Sequence, residues 1–267
     1  MSAVDLAQSS TGRWDLVVLS PHLDDAALSA GGEIHRVAKD GGRVLVLTIF
    51  TADAPIAQGP DALDELSPLA REVHRVMKLG ADAMAIRRRE DTIACRRLGA
   101  TVAHWPFVDA IYRIDAEGRP RHAFMDSLFG EPGADDLTLA DGLQGLLRSL
   151  DTARVLAPLG VGGHVDHRLV HRAAHRVWGS DVVYYEDFPY VRKWGALDHT
   201  LRRLGGRDAW RAERVPLDRD DLQARIEACR AYASQIAPLF GTERRMRRRI
   251  RRIVRRRGGE RRWRSRS

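Results

Sequence analysis

DLVVLSPHLDD, residues 15–25, joins a short apolar run to a cluster of polar side chains. The run at 15–20 contains β-branched residues and has polar flanks, which predicts a buried β-strand. His22, Asp24 and Asp25 follow this strand directly, at the point where an open α/β sheet normally places its ligands. The stretch therefore predicts the first unit of the fold and one part of a functional site.

The rest of the chain continues an alternation of helices and strands. Residues 25–39 have broadly helical apolar spacing, so with the apolar strand at 43–50 they predict a βαβ unit with parallel strands. Further strands are predicted at 101–105, 154–156 and 181–185, and helices at 68–79, 83–98, 137–150, 164–178 and 218–236. This order predicts an α/β fold with an open, mostly parallel sheet and helices on both faces.

The composition predicts a globular protein of a reducing compartment. Of the 267 residues, 44% are hydrophobic, and no apolar run approaches the roughly 20 residues that a membrane-spanning helix needs. Residues 1–5 lack the basic and apolar regions of a secretory signal. Cys95 and Cys229 lie far apart, inside predicted helices, and are expected to be buried thiols. We therefore expect a cytoplasmic protein; the sequence does not indicate an oligomeric state.

The positive charge is concentrated at one end of the chain. The formal net charge is +8, and residues 242–267 contain 14 Arg and two Glu, so their +12 leaves −4 for residues 1–241. This shift predicts one catalytic domain over 1–241 and an Arg-rich tail over 242–267. Apolar side chains at helical spacing within 243–257 indicate a basic amphipathic helix that could contact an anionic membrane or a polyanion. A solvated or partly disordered end is the alternative, and no motif indicates specific nucleic-acid binding.

Three predicted strands are followed by clusters of polar side chains. Because the carboxyl ends of parallel strands meet at one edge of a sheet, we expect the first and third clusters to lie close together. Two imidazoles and one carboxylate, with further positions open, form a catalytic metal set of the kind that binds zinc. The clusters are His22/Asp24/Asp25, Thr51/Asp53 and His164/Asp166/His167.

The spacing within the two histidine clusters suggests separate roles. His22 and Asp25 are three residues apart and can point at one ion where a helix begins. Asp24 then stays near a metal-bound water, where a general base belongs. His164 and His167 repeat the spacing of three, so that one can bind the metal while the other faces the substrate oxygen. The aspartate between them can orient an imidazole.

Other interpretations of these residues remain open at this stage. The Asp24-Asp25 pair could cap a helix, and a lone His-x-Asp-His could be a helix start with surface histidines. His171 and His175 continue one face of the helix and are expected to pack rather than bind metal. Two histidines and a carboxylate also suit a non-heme Fe(II) oxygenase, although the extra carboxylate favours hydrolysis. A protein that binds anionic surfaces through its arginines is the non-enzymatic alternative.

PHLDD at 21–25 and HVDH at 164–167 resemble the two motifs of the PIG-L / LmbE-like N-acetylglucosaminyl de-N-acetylases. The segment 87–99, with Arg, Glu, Ala and Leu-Gly at matching positions, is similar to a helix of that family. The order and spacing cover about residues 14–190. The resemblance implies a Rossmann-like fold and a hydrolase that uses zinc, or another divalent metal such as Fe²⁺. Such an enzyme removes an acyl group, usually acetyl, from the amine of an amino-sugar conjugate.

Roles can be carried over where the motif positions match. The resemblance implies that His22, Asp25 and His167 bind the metal and that Asp24 is the general base. His164 would stabilise the tetrahedral intermediate, with the aspartate two positions after it as its partner. These assignments follow from the resemblance and not from spacing alone.

The substrate is the least determined part of this interpretation. Arg87 in the helix motif, Asp53 after the second strand and Asp109 after the third are candidates for substrate contact. Leu23 and Val165 stand where the commoner family form has proline. Neither change affects a metal-binding position, so the chemistry is retained while the sugar conjugate is left open.

Overall fold

A computed structural model describes residues 12–56 and 61–266 and contains a seven-stranded sheet. The strand order is β3-β2-β1-β4-β5-β7-β6, with the first five strands parallel and β7 antiparallel to both of its neighbours. This confirms the predicted α/β fold with a mostly parallel sheet. The strands are β1 (Leu16–Ser20), β2 (Val44–Thr48), β3 (Thr101–His104), β4 (Val155–Pro158), β5 (Val183–Tyr185), β6 (Trp210–Val215) and β7 (Glu260–Ser265).

Helices follow most strands and cover both faces of the sheet. They are α1 (Asp25–Lys39), α2 (Pro68–Met77), α3 (Ala83–Arg97), α4 (Ala134–Leu147), α5 (Val165–Trp178), α6 (Ala196–Arg203), α7 (Arg219–Cys229), α8 (Ala233–Phe240) and α9 (Glu243–Arg257). The single helix predicted over 218–236 is two helices, because Tyr232 leaves helical geometry and its buried hydroxyl donates to Asp91 at 2.7 Å. Within the described ranges, no helix has both the length and the apolarity needed to cross a membrane.

Alternate residues of the central strands belong to two different cores. In β1, Leu16 and Val18 pack with α1 and α3, while Val17 and Leu19 face the core that contains α4 and α5. All four side chains are fully buried. This explains why the central strands are continuous apolar runs rather than alternating ones, as expected for parallel strands covered on both faces.

The C-terminal segment 242–267 differs from the tail that its charge predicts. Met246, Ile250 and Val254 of α9 are buried against the body of the protein. β7 lies between β5 and β6, and Trp263 within it is buried. The arginines conceal this arrangement in the sequence, because those of α9 mostly occupy its outer face and β7 pairs through its backbone. The segment is therefore part of the sheet and its core.

A break in α1 explains the Gly-Gly pair inside that helix. Ala30 has non-helical angles (φ −131°, ψ 15°), and the backbone N–H groups of Gly32 and Glu33 donate to the Glu260 carboxylate of β7 at 2.9 and 2.8 Å. A Cβ on Gly32 would lie 2.4 Å from a methyl of Leu217. A larger residue here would displace the Leu217 side chain, so glycine allows the close packing at this break. The C-terminal strand holds the helix that begins at the first polar cluster.

Trp263→Ala should destabilise the protein by about 3–5 kcal/mol, because it removes a buried indole from the centre of the C-terminal half of the sheet. Trp194→Ala is the matched control: Trp194 is fully exposed, and its loss should change the free energy of unfolding by no more than about 0.5 kcal/mol. Denaturant titration followed by circular dichroism measures both. Equal effects of the two substitutions would contradict the placement of β7 in the core.

Candidate metal-dependent active site

The two histidine clusters meet at the point where the strand order reverses. β1 and β4 are adjacent in the sheet, although the segments that follow them are far apart in sequence. The His22 ring lies 4.8 Å from the ring of His164 and 5.2 Å from that of His167, measured between centroids. A crevice forms at such a reversal because the connections after the two strands diverge.

The carboxylate of Asp25 lies between two imidazoles. Its Oδ2 is 3.3 Å from Nδ1 of His22 and 3.2 Å from Nε2 of His167. Ligand atoms that bind one tetrahedral zinc ion at its usual bond lengths are about 3.3 Å apart. Asp25 therefore lies at the spacing of metal ligands from both imidazoles. Ring nitrogens of His22, His164 and His167 also lie within 4.8 Å of one another, so side chains of this cluster could hold a divalent metal.

Each of the two imidazoles is hydrogen-bonded to a buried carboxylate through the ring nitrogen that is farther from Asp25. Nε2 of His22 donates to Asp166 at 2.9 Å, and Nδ1 of His167 donates to Asp187 at 2.6 Å. The other ring nitrogens, Nδ1 of His22 and Nε2 of His167, are the ones next to Asp25 and would be the atoms that bind a metal there. Burial alone would lower the pKa of His167, but Asp25 and Asp187 raise it to about 10, so the surroundings stabilise positive charge here.

Asp166 was expected to be the partner of His164. In the structure its carboxylate instead accepts the hydrogen bond of the His22 ring. Its carboxylate also accepts hydrogen bonds from the Arg113 guanidinium and from the backbone N–H of Ala110 (3.1 Å). Burial would raise the pKa of Asp166, but Arg113 holds it well below its usual range. Arg113 could not be recognised from the sequence as a site residue, because it lies in a segment without a regular pattern.

Asp24 keeps its carboxylate free of hydrogen bonds to the described residues, although it stands at the N-cap of α1. The hydroxyl of Ser20 instead accepts from the backbone N–H of Ala26, at 3.0 Å. Burial and the charge of Asp25 raise the pKa of Asp24 to about 7, while Arg87 opposes the rise. The capping alternative for Asp24 is thereby contradicted. A buried, unbound carboxylate that titrates near neutrality has the properties of a general base.

His164 has the hydrogen bonds of a neutral donor. It caps α5, and its Nδ1 accepts from the backbone N–H of Asp166 at 3.2 Å, so the ring proton is on Nε2. Burial and the neighbouring His22 hold the pKa of His164 well below its usual value. His171, in contrast, bonds to the carbonyl of Pro158 at 3.0 Å, which confirms that it is a packing residue.

A cavity of about 380 Å³ opens onto these groups. Its lining combines polar side chains of the two histidine clusters with side chains of α2, α3, α8 and the loops after β3 and β5. Such a lining can hold a polar group at the reacting centre and an apolar group beside it. The polar lining includes His22, Asp24, Asp25, Glu72, Arg87, Asp109, His164 and Gln235, and the apolar lining includes Val73, Met77, Ile111, Phe129, Phe188 and Leu239.

The two charged residues of the α3 motif have different surroundings. Arg87 is buried and lines the cavity, and its Nε has no hydrogen-bond partner among the described residues. Glu90 accepts hydrogen bonds from the backbone N–H (2.9 Å) and hydroxyl (2.6 Å) of Ser234 in α8. Both side chains are buried, so the two residues do not form an ion pair at the helix surface.

Asp109 and Asp53, the other two candidates for substrate contact, lie in different surroundings. Asp109 lines the cavity, with one oxygen 3.7 Å from Nε2 of His22 and the other accepting from the backbone N–H of Ile111. Asp53 is exposed and forms an ion pair with Arg88 at 2.8 Å, outside the residues that line the cavity. Among the described residues, none of the loop after β2 lines the cavity, whereas Asp109 in the loop after β3 does.

The family comparison covers the region that holds both histidine clusters. Residues 17–178, more than half of the chain, match the family described as PIG-L: GlcNAc-PI de-N-acetylase. The chain belongs to the PIG-L family. This confirms the resemblance carried by the PHLDD and HVDH motifs and agrees with the observed fold.

Relatives of this PIG-L chain are deacetylases. A 2'-N-acetylparomamine deacetylase of Streptomyces fradiae is 34% identical over 203 residues, which span 73% of this chain and 64% of the relative. A 2'-N-acetylparomamine deacetylase of Niallia circulans is 29% identical over 243 residues, or 84% and 82% of the two chains. The zinc-inhibited form of a teicoplanin deacetylase superposes with a TM-score of 0.73 and 28% identity, covering 93% of this chain and 97% of that one. The match thus spans slightly less than two thirds of the Streptomyces relative.

Asp187→Asn should weaken Zn²⁺ binding by about 10–100-fold, because an amide has one acceptor oxygen where the carboxylate holds both His167 and the backbone N–H of Val161. Calorimetry with a competing chelator measures the affinity. Asp53→Asn, at an exposed ion pair, is the matched control and should bind Zn²⁺ as the unchanged protein does. Equal affinities in all three proteins would show that Asp187 does not support a metal ligand.

Proposed function

We propose that this chain is a metal-dependent hydrolase that removes an N-acetyl group from an amino-sugar conjugate. The observation that carries the proposal is the free carboxylate of Asp24 beside Asp25, which itself lies between two imidazoles held by carboxylates. Metal-binding groups and a proton acceptor are thus adjacent at the end of one cavity. The relatives described above are named as deacetylases of 2'-N-acetylparomamine and of teicoplanin, which supports the same reaction class.

The metal in this proposal is zinc, bound by His22, Asp25 and His167. A bound zinc ion supplies Lewis-acid polarisation of the amide carbonyl and lowers the pKa of water towards about 7. The histidine and carboxylate donors suit zinc. Asp166 and Asp187 orient the two histidines so that their free nitrogens converge on the position beside Asp25.

The chain's own residues move the protons. Asp24 accepts a proton from the attacking water as the new C–O bond forms at the acetyl carbon. Nε2–H of His164 donates a hydrogen bond to the carbonyl oxygen while negative charge develops there. Asp24 then returns its proton to the leaving nitrogen as the C–N bond breaks, which yields acetate and the free amine. Arg87 and Asp109, both on the polar side of the cavity, would position the sugar hydroxyls.

The substrate class follows from the cavity and from the relatives together. The polar side fits an N-acetylated sugar such as an N-acetylglucosaminyl group, and the apolar side fits a hydrophobic aglycone. The Fe(II) oxygenase alternative lacks support, because the named relatives catalyse deacetylation. The non-enzymatic alternative does not account for Asp24, whose buried carboxylate forms no hydrogen bond with residues 12–56 or 61–266.

Asp24→Asn should lower turnover of an N-acetylglucosaminyl conjugate by about 10²–10⁴-fold, since the amide cannot accept the proton. Its metal content should stay unchanged, because Asp24 does not lie between the metal-binding nitrogens. Released acetate and free amine measure activity, and elemental analysis measures the metal. Asp53→Asn should retain full turnover, as the matched control. Full activity of Asp24→Asn would contradict the assignment of the base.

Removal of metal distinguishes hydrolysis from oxidation. Dialysis against a chelator should abolish acetate release, and added Zn²⁺ should restore it, because no other group of the site polarises the carbonyl as strongly. The same assay under an atmosphere free of oxygen should give the same rate. A requirement for oxygen would support an oxygenase instead, and activity that survives complete removal of metal would contradict the metal-dependent mechanism.

A further inference from the structure

Helix α9 exposes a face made almost entirely of arginine. Its apolar residues are buried, and the side chains on the opposite face are open to solvent. None of these exposed arginines has a carboxylate partner among the described residues. An unpaired row of this density is a strongly positive surface that favours an anionic counterpart. The exposed arginines are Arg244, Arg245, Arg248, Arg251, Arg252, Arg255 and Arg256.

This basic face continues to the rim of the active-site cavity. Arg249 of α9 donates to the carbonyl of Leu239, which lines the cavity. Burial lowers the pKa of Arg192, in the loop after β5, and the nearby charges of Arg249 and Arg252 lower it further. Lys193, the next residue, lies over the ring of Phe129, a cavity residue, at 5.9 Å. Arg249, Arg192 and Lys193 thus place cationic side chains between α9 and residues that line the cavity.

Exposed apolar side chains lie at the same rim. Trp194 follows Lys193 directly and is fully exposed, and Phe124 is 75% exposed. Met125 and Val76, both partly exposed, line the cavity. Apolar side chains left in water next to a basic surface are unusual on a monomeric protein and indicate an interaction surface. The apolar and basic parts together form what we call the docking face: the outer side of α9, residues 192–194 and residues 124–125.

We propose that the docking face binds the surface of an anionic lipid bilayer, with the mouth of the cavity turned towards the lipid headgroups. The arginines complement the negative headgroups, each contributing to adsorption while it lies within a Debye length of the surface. Trp194 and Phe124 occupy the interfacial layer, which tryptophan and other aromatic side chains favour. A nucleic acid would satisfy the arginines but would leave the aliphatic Val76 and Met125 in water, so the bilayer is the better match.

Such docking would present the cavity to amphiphilic molecules at the interface. The inference concerns a surface and not the reaction, so it stands whether or not the chain is a deacetylase. It also explains why the arginines are concentrated on a helix whose other face belongs to the core: the helix is rigidly held, and the charge is therefore displayed in a fixed orientation.

Vesicle sedimentation tests the proposal with the full chain. The protein should sediment with phosphatidylcholine vesicles that contain 30% phosphatidylserine, and not with phosphatidylcholine alone. Replacing Arg244, Arg248, Arg251 and Arg255 together by Gln should weaken binding by about a hundredfold or more, because each arginine near the surface contributes strongly to adsorption. Trp194→Ala should weaken binding with the charge unchanged. Absence of sedimentation with the anionic vesicles would overturn the proposal.

A matched variant controls for net charge. Arg96, Arg148, Arg172 and Arg219 are exposed arginines on other helices or their ends, and their joint replacement by Gln removes the same charge. This variant should bind vesicles nearly as the unchanged protein does; an equal loss in both variants would overturn the docking face. Binding of duplex DNA that is tighter than vesicle binding at the same salt concentration would also overturn it, in favour of a nucleic acid. Circular dichroism of each variant confirms that it is folded.

Discussion

The structure depends on one electrostatic arrangement: a buried carboxylate, that of Asp25, held between two imidazoles. It can persist only because further groups hold the imidazoles in turn. Asp166 holds His22 and is itself neutralised by Arg113, and Asp187 holds His167. Burial of so many charges is unfavourable unless each is paired and hydrogen-bonded. These pairs satisfy that condition. The imidazole nitrogens next to Asp25 are then the atoms that would bind a metal ion together with its carboxylate.

The fold supplies the rigidity that this arrangement needs. The first cluster lies at the start of α1, and α1 is held at its break by Glu260 of the C-terminal strand, which accepts two backbone N–H groups and pairs with Arg225. The last strand therefore supports the helix that begins at the first cluster, although the two segments are far apart in sequence. Strand β5 also contributes Asp187 directly after its carboxyl end. Three adjacent strands, β1, β4 and β5, thus define the site.

The sequence predicted the central half of the sheet and the meeting of the two clusters well, because buried parallel strands are continuous apolar runs and their carboxyl ends share an edge. It did not predict β7, since its arginines obscured a strand whose pairing is made by backbone groups. Arg113 and Asp187 act through contacts that no local period encodes, and Asp53 was expected at the site because strand order cannot be read from sequence. The spacing distinguished the roles of Asp24 and Asp25. That Asp24 does not cap α1 could be seen only in the structure, where the Ser20 hydroxyl accepts the backbone N–H of Ala26.

Location of the metal tests the central claim most directly. Anomalous diffraction from crystals grown with Zn²⁺, recorded on both sides of the zinc absorption edge, gives that position independently of activity. The account predicts one strong peak within bonding distance of Nδ1 of His22, Nε2 of His167 and the Asp25 carboxylate. Two other groups of potential ligands share His22: one with His164 and His167, and one with Asp109 and Asp166. A peak bound by either of these groups without the Asp25 carboxylate, or no peak at this edge of the sheet, would contradict the account.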